Sequence, residues 1–298
     1  MKTEKNIFIA FILNLSFSLF EFIGGLFTGS VSILSDAIHD MGDAVSIGIS
    51  YFLEKKSTQQ PDETHTYGYA RYSVLGGALT ALFLLLGSGI VIYNAVHRII
   101  HPTEINYNGM ILFAIIGVCV NFCAAFITRK GGSLNQKAVN LHMLEDVLGW
   151  AVVLVGAVIM RLTDITVLDP ILSIGVALFI LVNAVKHLNE AARLFLEKTP
   201  CKINIEEMKQ HLSELAGVLD VHHIHVWSMD GNTNYATMHI VTNADHVRVK
   251  ESVRKELEKF GISHATLELE AETEDCHAPY CRVEYQTESG HCHYHHHH

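Results

Sequence analysis

Ser35-Asp36-Ala37-Ile38-His39-Asp40-Met41-Gly42-Asp43 lies inside an apolar run covering about residues 32–53, long enough for one helix to cross a bilayer core. An ionised side chain in such a run costs roughly 2.5–3.5 kcal/mol on insertion scales, so each one needs a partner or a task. His39 and Asp43 are four apart, which puts an imidazole and a carboxylate one above the other on a single helix face. Leu141-His142-Met143-Leu144-Glu145-Asp146 repeats that spacing in a second run, with His142 and Asp146. One such pair reads equally well as hydrogen-bonded packing; the same pair in two separate runs points to a shared ligand.

Two such faces brought together offer two nitrogens and two carboxylate oxygens, without a thiolate. Zinc accepts that set tetrahedrally at about 2.0–2.2 Å. Calcium and magnesium prefer six or more oxygens. Zinc is therefore the favoured ion, and cobalt(II), iron(II), manganese(II) and cadmium stay open, because geometry and availability rather than raw affinity select among them.

Outward from these two runs, further apolar windows bring the set to about 7–28, 32–53, 73–97, 109–128, 139–161 and 167–188. The expected architecture is an all-α six-helix transmembrane bundle over residues 1–199. Lys2, Lys5, Lys55, Lys56, Arg71, Arg129, Lys130, Lys137, Lys186, Arg193 and Lys198 fall on one side of it, Arg98 and Arg161 on the other, which predicts cytoplasmic termini. Met1 to Lys5 is basic and precedes an apolar run without a small-residue cleavage site, so it reads as part of a retained first helix.

From Pro200 the pattern changes. Helical spacing over 205–215, strand patterns over 218–227 and 235–242 around Asp230-Gly231-Asn232, a helix over 247–260 and a strand over 264–269 predict a small cytoplasmic α+β domain, order α-β-β-α-β, across 200–272. The remaining stretch, 273–298, is rich in His and Cys and reads either as a metal-binding tail or as the remnant of a purification tag. The net charge of −10 shows no clustered cationic face, so a nucleic-acid partner is not expected. The six cysteines are scattered, two of them in an apolar run, which fits reduced thiols rather than a disulfide framework.

Gly29-Ser30-Val31-Ser32-Ile33-Leu34-Ser35-Asp36 leading into His39 and Asp43, then His65-Thr66-Tyr67-Gly68-Tyr69-Ala70-Arg71, then His142 and Asp146, together resemble the cation diffusion facilitator family, most closely its zinc-transporting branch. The resemblance extends over about residues 6–272. It implies a homodimer in the lipid bilayer of a bacterial inner (cell) membrane, zinc efflux driven by protons moving the other way, and a ferredoxin-like fold for the cytoplasmic domain. It also implies a regulatory zinc site there, at positions matched by His222, His239 and His246, with Glu268 and Glu270 where some members carry His and Asp. On sequence alone His222, His223 and His225 cannot all converge, because successive strand residues face opposite ways. A further site of some members is matched by Asp62 and His65, but Tyr69 replaces a second histidine, so that site is expected to be weak. Arg71 and Glu197 match a charge interlock.

Two rival classes are open at this point. An intramembrane zinc hydrolase needs three ligands, an open water position and a general base, and its usual His-Glu-x-x-His signature is missing. A membrane-anchored zinc sensor would not need His and Asp buried in two spans. The asparagines Asn14, Asn94 and Asn121 are expected to bond across helices.

Overall fold

A computed structural model describes residues 2–28, 31–101, 107–130, 132–163 and 168–274. The 273–298 tail lies almost entirely outside the described residues. Two compact units emerge, Met1–Lys198 with the segment Trp227–Thr233, and Thr199–Val226 with the chain from Asn234 on.

The first unit is built from long helices: α1 (Lys2–Thr28), α2 (Val31–Ser57), α3 (Arg71–Ile100), α4 (Tyr107–Thr128), α5 (Leu134–Thr163) and α6 (Leu168–Phe195). They pack most extensively in the pairs α1 with α2, α4 with α5, and α3 with α6. Their burial is inverted relative to a water-soluble protein. Phe52, Ile90, Tyr93, Leu86 and Phe122 face outward, more than half exposed, while Asn14, Ser18, Glu21 and Asn121 are buried inside. Apolar surface on that scale needs a non-aqueous neighbour. Among the described residues four segments are long and apolar enough to cross a bilayer, Thr3–Ile23, Arg71–His97, Ile111–Thr128 and Leu134–Thr163. Asn94, expected between helices, is exposed instead.

Small residues let these helices approach. A Cβ on Gly117 of α4 would lie 2.6 Å from the Trp150 ring of α5, and that ring meets Phe17 of α1 edge-on at 5.6 Å. Gly117 is thus the notch into which the Trp150 indole fits. Ile7, Ala10, Ile47, Ala124, Ala125, Val139 and Met143 form one apolar cluster from α1, α2, α4 and α5. Gln136 and Asn140 at the start of α5 donate to the Thr128 carbonyl and to the Ala125 carbonyl and Thr128 hydroxyl at the end of α4, at 2.7–3.0 Å. That closes the short α4–α5 turn.

The second unit follows the order α7 (Ile205–Ser213), β1 (Asp220–Ser228), β2 (Asn234–Val241), α8 (His246–Lys259), β3 (Ile262–Glu270). Each helix begins at a side-chain cap: Asn204 accepts from the Glu206 and Glu207 amides, Asp245 from the Arg248 amide. The sheet order is β1-β2-β3. Asp230 accepts from the Asn232 and Thr233 amides around Gly231, whose φ of +84° suits a glycine, and the chain doubles back from β1 into β2. β2 and β3 are parallel, joined through α8, with His239 opposite Glu268 and Val241 opposite Glu270. Met208 and Leu212 of α7 and Val249, Val253 and Leu257 of α8 cover Val221, Met238 and Ile240 of the sheet. Each fully buried side chain of this size contributes roughly 1.5–3 kcal/mol, enough for a domain of this length to hold one core.

Candidate metal centres

In the helical unit, Asp43 on α2 and His142 and Asp146 on α5 bring their ligand atoms within 4.8 Å of one another. The His142 Nε2 lies 3.8 Å from a carboxylate oxygen of Asp43. His142 is 3% exposed, and neither of its ring nitrogens has a hydrogen-bond partner. A buried imidazole with two unsatisfied nitrogens costs free energy wherever no ligand meets it. The fourth expected ligand, His39, belongs to α2 one turn before Asp43, and its side chain lies outside those described. Glu145 stands beside this group, three residues from His142 on the same helix, its carboxylate 4.0 Å from His142 Nδ1. The signal was present in the quoted stretch as a third acidic or basic group inside the run.

The second centre lies on the sheet of the α/β unit. His222, His239 and Glu270 also place ligand atoms within 4.8 Å of one another. Glu270 bridges the pair: one oxygen lies 2.5 Å from His239 Nδ1 and the other 3.2 Å from His222 Nε2. Glu268 stands 3.2 Å from His239 Nε2, and Asp220 stands 2.9 Å from His222 Nδ1. Parallel register explains the meeting, because Glu268 and Glu270 are two apart on β3 and share the face on which His239 projects from β2. His246 opens α8, is exposed, and stands outside this three-residue group.

Strand alternation fails at one residue of β1. His223 has φ +52°, a left-handed backbone that breaks the facing pattern. As a result the rings of His222 and His223 both approach His239, at 5.5 and 4.7 Å, the second stacked nearly parallel, and His225 lies 5.0 Å from His223. Of these three β1 histidines, His222 is the one that places a ligand atom in the group with His239 and Glu270.

Asp62 and His65 lie in the α2–α3 loop. One Asp62 oxygen accepts from the Thr64 and His65 amides and the Thr64 hydroxyl at 2.7–2.9 Å; the other accepts from the Tyr69 hydroxyl at 2.6 Å. These donors, the phenol first, hold the Asp62 carboxyl well below the usual carboxylate range, and the carboxylate in turn pushes the Tyr69 phenol up. The His65 ring stacks on Tyr69 at 4.1 Å. Hydrogen bonds thus occupy both oxygens that a metal would use. Arg71, the first residue of α3, meets Glu197 just beyond α6 at 2.7 Å.

A buried imidazole with unpaired nitrogens between two carboxylates, in a helical unit that turns apolar side chains outward, is suited to carrying a cation through a membrane. Residues 7–196 match the family described as the cation efflux transmembrane domain, and residues 200–272 match the cytoplasmic domain of cation efflux proteins. The chain belongs to the cation efflux family. A zinc transporter, ZitB, of Yersinia pseudotuberculosis is 32% identical over 99% of this chain and 96% of its own. A cadmium, cobalt and zinc/H(+)-K(+) antiporter of Bacillus velezensis is 29% identical over 98% and 96% respectively. The metal cation efflux system protein CzcD of Cupriavidus metallidurans is 29% identical over 90% and 86%. As a cation efflux family member this protein is a membrane transporter of divalent metal and not an enzyme, which sets the hydrolase and sensor readings aside.

Proposed function

We propose that this cation efflux protein exports zinc from the cytoplasm in exchange for protons, binding its cargo between His39, Asp43, His142 and Asp146. The observation that carries the proposal is His142, 3% exposed, with both nitrogens unpartnered beside Asp43 and Asp146. Its relatives bear names of zinc, cadmium and cobalt transport, one of them as a proton-coupled antiporter. A neutral imidazole binds zinc and a protonated one does not, so cargo and proton compete for the same nitrogens. Zinc loads where the medium is less acidic, and protonation on the other side expels it. Asp43 and Asp146 neutralise the ion's charge while it is away from water.

The finer architecture belongs to this proposal: six spans corresponding to α1–α6, both termini in the cytoplasm of a bacterial cell, a ferredoxin-like α/β unit, and a homodimer joined in part through it. His222, His239 and Glu270, with Glu268 close by, would hold a regulatory zinc whose binding favours one state of the transporter. The family description of residues 200–272 as a cytoplasmic domain supports that placement.

The test is zinc uptake into proteoliposomes under an imposed proton gradient, comparing the parent protein with His142→Ala and Asp43→Ala. Uptake that dissipates the gradient and is lost in both variants is expected. Normal transport by both variants would remove the four-residue centre from the mechanism.

A further inference from the structure

A second polar layer joins the helices that carry the transport centre. The Glu54 carboxylate of α2 is 4% exposed, and one of its oxygens accepts from the Ser73 hydroxyl of α3 at 2.7 Å and from the Asn135 amide of α5 at 3.2 Å. The same Asn135 nitrogen donates to the Ser50 carbonyl of α2 at 2.8 Å, and the Ser50 hydroxyl meets that of Thr80 on α3. Asn135 lies flat against Gly76 of α3, where a Cβ would come within 2.7 Å of its Oδ1. One buried cluster therefore touches all three helix pairs, α1–α2 through Glu54, α3–α6 through Ser73, and α4–α5 through Asn135. Among the described residues no cation pairs with Glu54.

The layer is in line with the transport centre. On α2 the ladder runs Asp43, Ile47, Ser50, Glu54; on α5 it runs Asn135, Val139, His142, Asp146, with the same intervals of four, three and four. Eleven residues are three turns and about 16 Å of helix, and they return to nearly the same face. The helices run antiparallel, so the metal layer faces metal layer and Glu54 faces Asn135. Ile47 and Val139, both fully buried, belong to the apolar cluster and fill the interval. From the α2–α3 loop end, a cation approaching along this seam meets first the Glu54 layer, then the apolar pair, then the centre.

We propose that Glu54, Ser73, Asn135 and the Ser50 carbonyl form a latch that closes the transport centre to the α2–α3 loop end and that opens and reforms in each cycle. This rests on the reading of the α2–α5 centre as the transport site. A buried carboxylate held only by neutral donors suits a contact that must break: its bonds are strong enough to hold a closed seam, and water can replace them when the seam opens. Glu54 is in these terms a positioning residue, which acts on access and does not hold the cargo at the centre.

The experiment uses Val139→Cys in the full chain with its six native cysteines replaced by serine, reconstituted in vesicles of one orientation and exposed to a membrane-impermeant charged maleimide. Glu54→Ala and Asn135→Ala are expected to label at least about tenfold faster from the α2–α3 loop side, the factor by which one charge-assisted hydrogen bond moves a two-state equilibrium. Glu54→Gln, which keeps an acceptor for both donors, restores most of the slow rate. Labelling from the opposite face stays unchanged, whereas general loosening would raise both. Ser73→Ala, which leaves the carboxylate one donor, moves the loop-side rate in the same direction and replaces the larger truncations if they do not fold. Equal loop-side rates in all folded variants overturn the latch. Zinc uptake by the latch-intact protein, measured in the same vesicles, is the separate check on the transport reading: its absence overturns that reading, while the labelling ratios decide the latch.

Discussion

Asp62 shows how one side chain can order a loop through its hydrogen bonds. Its oxygens accept from the Tyr69 phenol, the Thr64 hydroxyl and two amides, and these bonds, with the His65 ring stacked on Tyr69, order the loop between α2 and α3. A carboxyl whose folded pKa is depressed adds stability above its unfolded value, near 3.9, and loses it as pH falls through the folded value. Because the Asp62 value is pushed down, the share of the loop's order that rests on this carboxylate is expected to persist through mildly acidic pH and to be lost in strong acid. Tyr69→Phe removes the largest of the lowering contacts. The Asp62 carboxyl carbon, followed by NMR, is expected to titrate at a higher pH in that variant than in the parent; an unchanged midpoint would show that the phenol is a bystander. At this scale the sequence was most legible where chemistry is rare. Asp43, His142 and Asp146 stood out because ionisable groups in apolar runs are expensive, and they converge. Glu145 sits three residues from His142, an interval that also brings helix side chains together, and a pairing built on the repeated interval of four leaves it out.

Elements end where local geometry allows, and α6 ends unusually. The Lys198 amide donates to the Arg193 carbonyl and the Glu197 amide to the Leu194 carbonyl, a Schellman closure in which Glu197, not glycine, takes the left-handed position at φ +53°. The Arg71 guanidinium at 2.7 Å is what this glutamate gains in exchange. The left-handed conformation costs roughly 1 kcal/mol for a residue with a Cβ, and a partly exposed ion pair is worth about as much or less. Glu197→Gly should therefore leave the thermal midpoint at or slightly above that of the parent, and Glu197→Ala should lower it, because alanine keeps the strain and loses the pair. Hydrogen exchange at the Lys198 amide reports the same order locally. Element boundaries were legible only in part. Hydropathy marked the third run at about 73–97 and the fifth at about 139–161, whereas α3 is Arg71–Ile100 and α5 is Leu134–Thr163. Hydropathy senses the oily interval, while a helix continues as long as its carbonyls find donors. The polar opening turn of α5, with Asn135 and Gln136 fully buried, is a helix that composition does not announce. The left-handed His223 was invisible for a related reason, since alternation is the rule for strands and its breach is a property of one residue's backbone.

Among the described residues two clusters of metal-ligating groups stand out, one in each compact unit, with different donor sets. Zinc titration by calorimetry is expected to resolve a class of site for each of these two clusters. His142→Ala should delete one class and His239→Ala the other, each leaving its counterpart's affinity within about a factor of three, since side chains without shared partners act nearly additively. Loss of both classes in a single variant would mean that the clusters fold or bind as one. The division into an apolar helical part and a polar α/β part was readable from composition alone, because a bilayer and water impose opposite burial rules. Pairing among the helices was not readable, since lipid-facing and neighbour-facing apolar residues have the same chemistry.

The matched ladders on α2 and α5 also act as a vernier. Polar rungs face polar rungs, and Ile47 lies level with Val139 in the apolar layer, only in the register observed. A slip of one helical turn would carry His142 toward Ile47 and Val139 toward Ser50, setting an imidazole against an apolar side chain and leaving the Ser50 carbonyl without its amide. Sliding of one helix along the other is penalised at both layers at once. A tilt that opens the seam at one end keeps this count, so the opening of the proposed latch calls for a change of angle between these helices and not of their register.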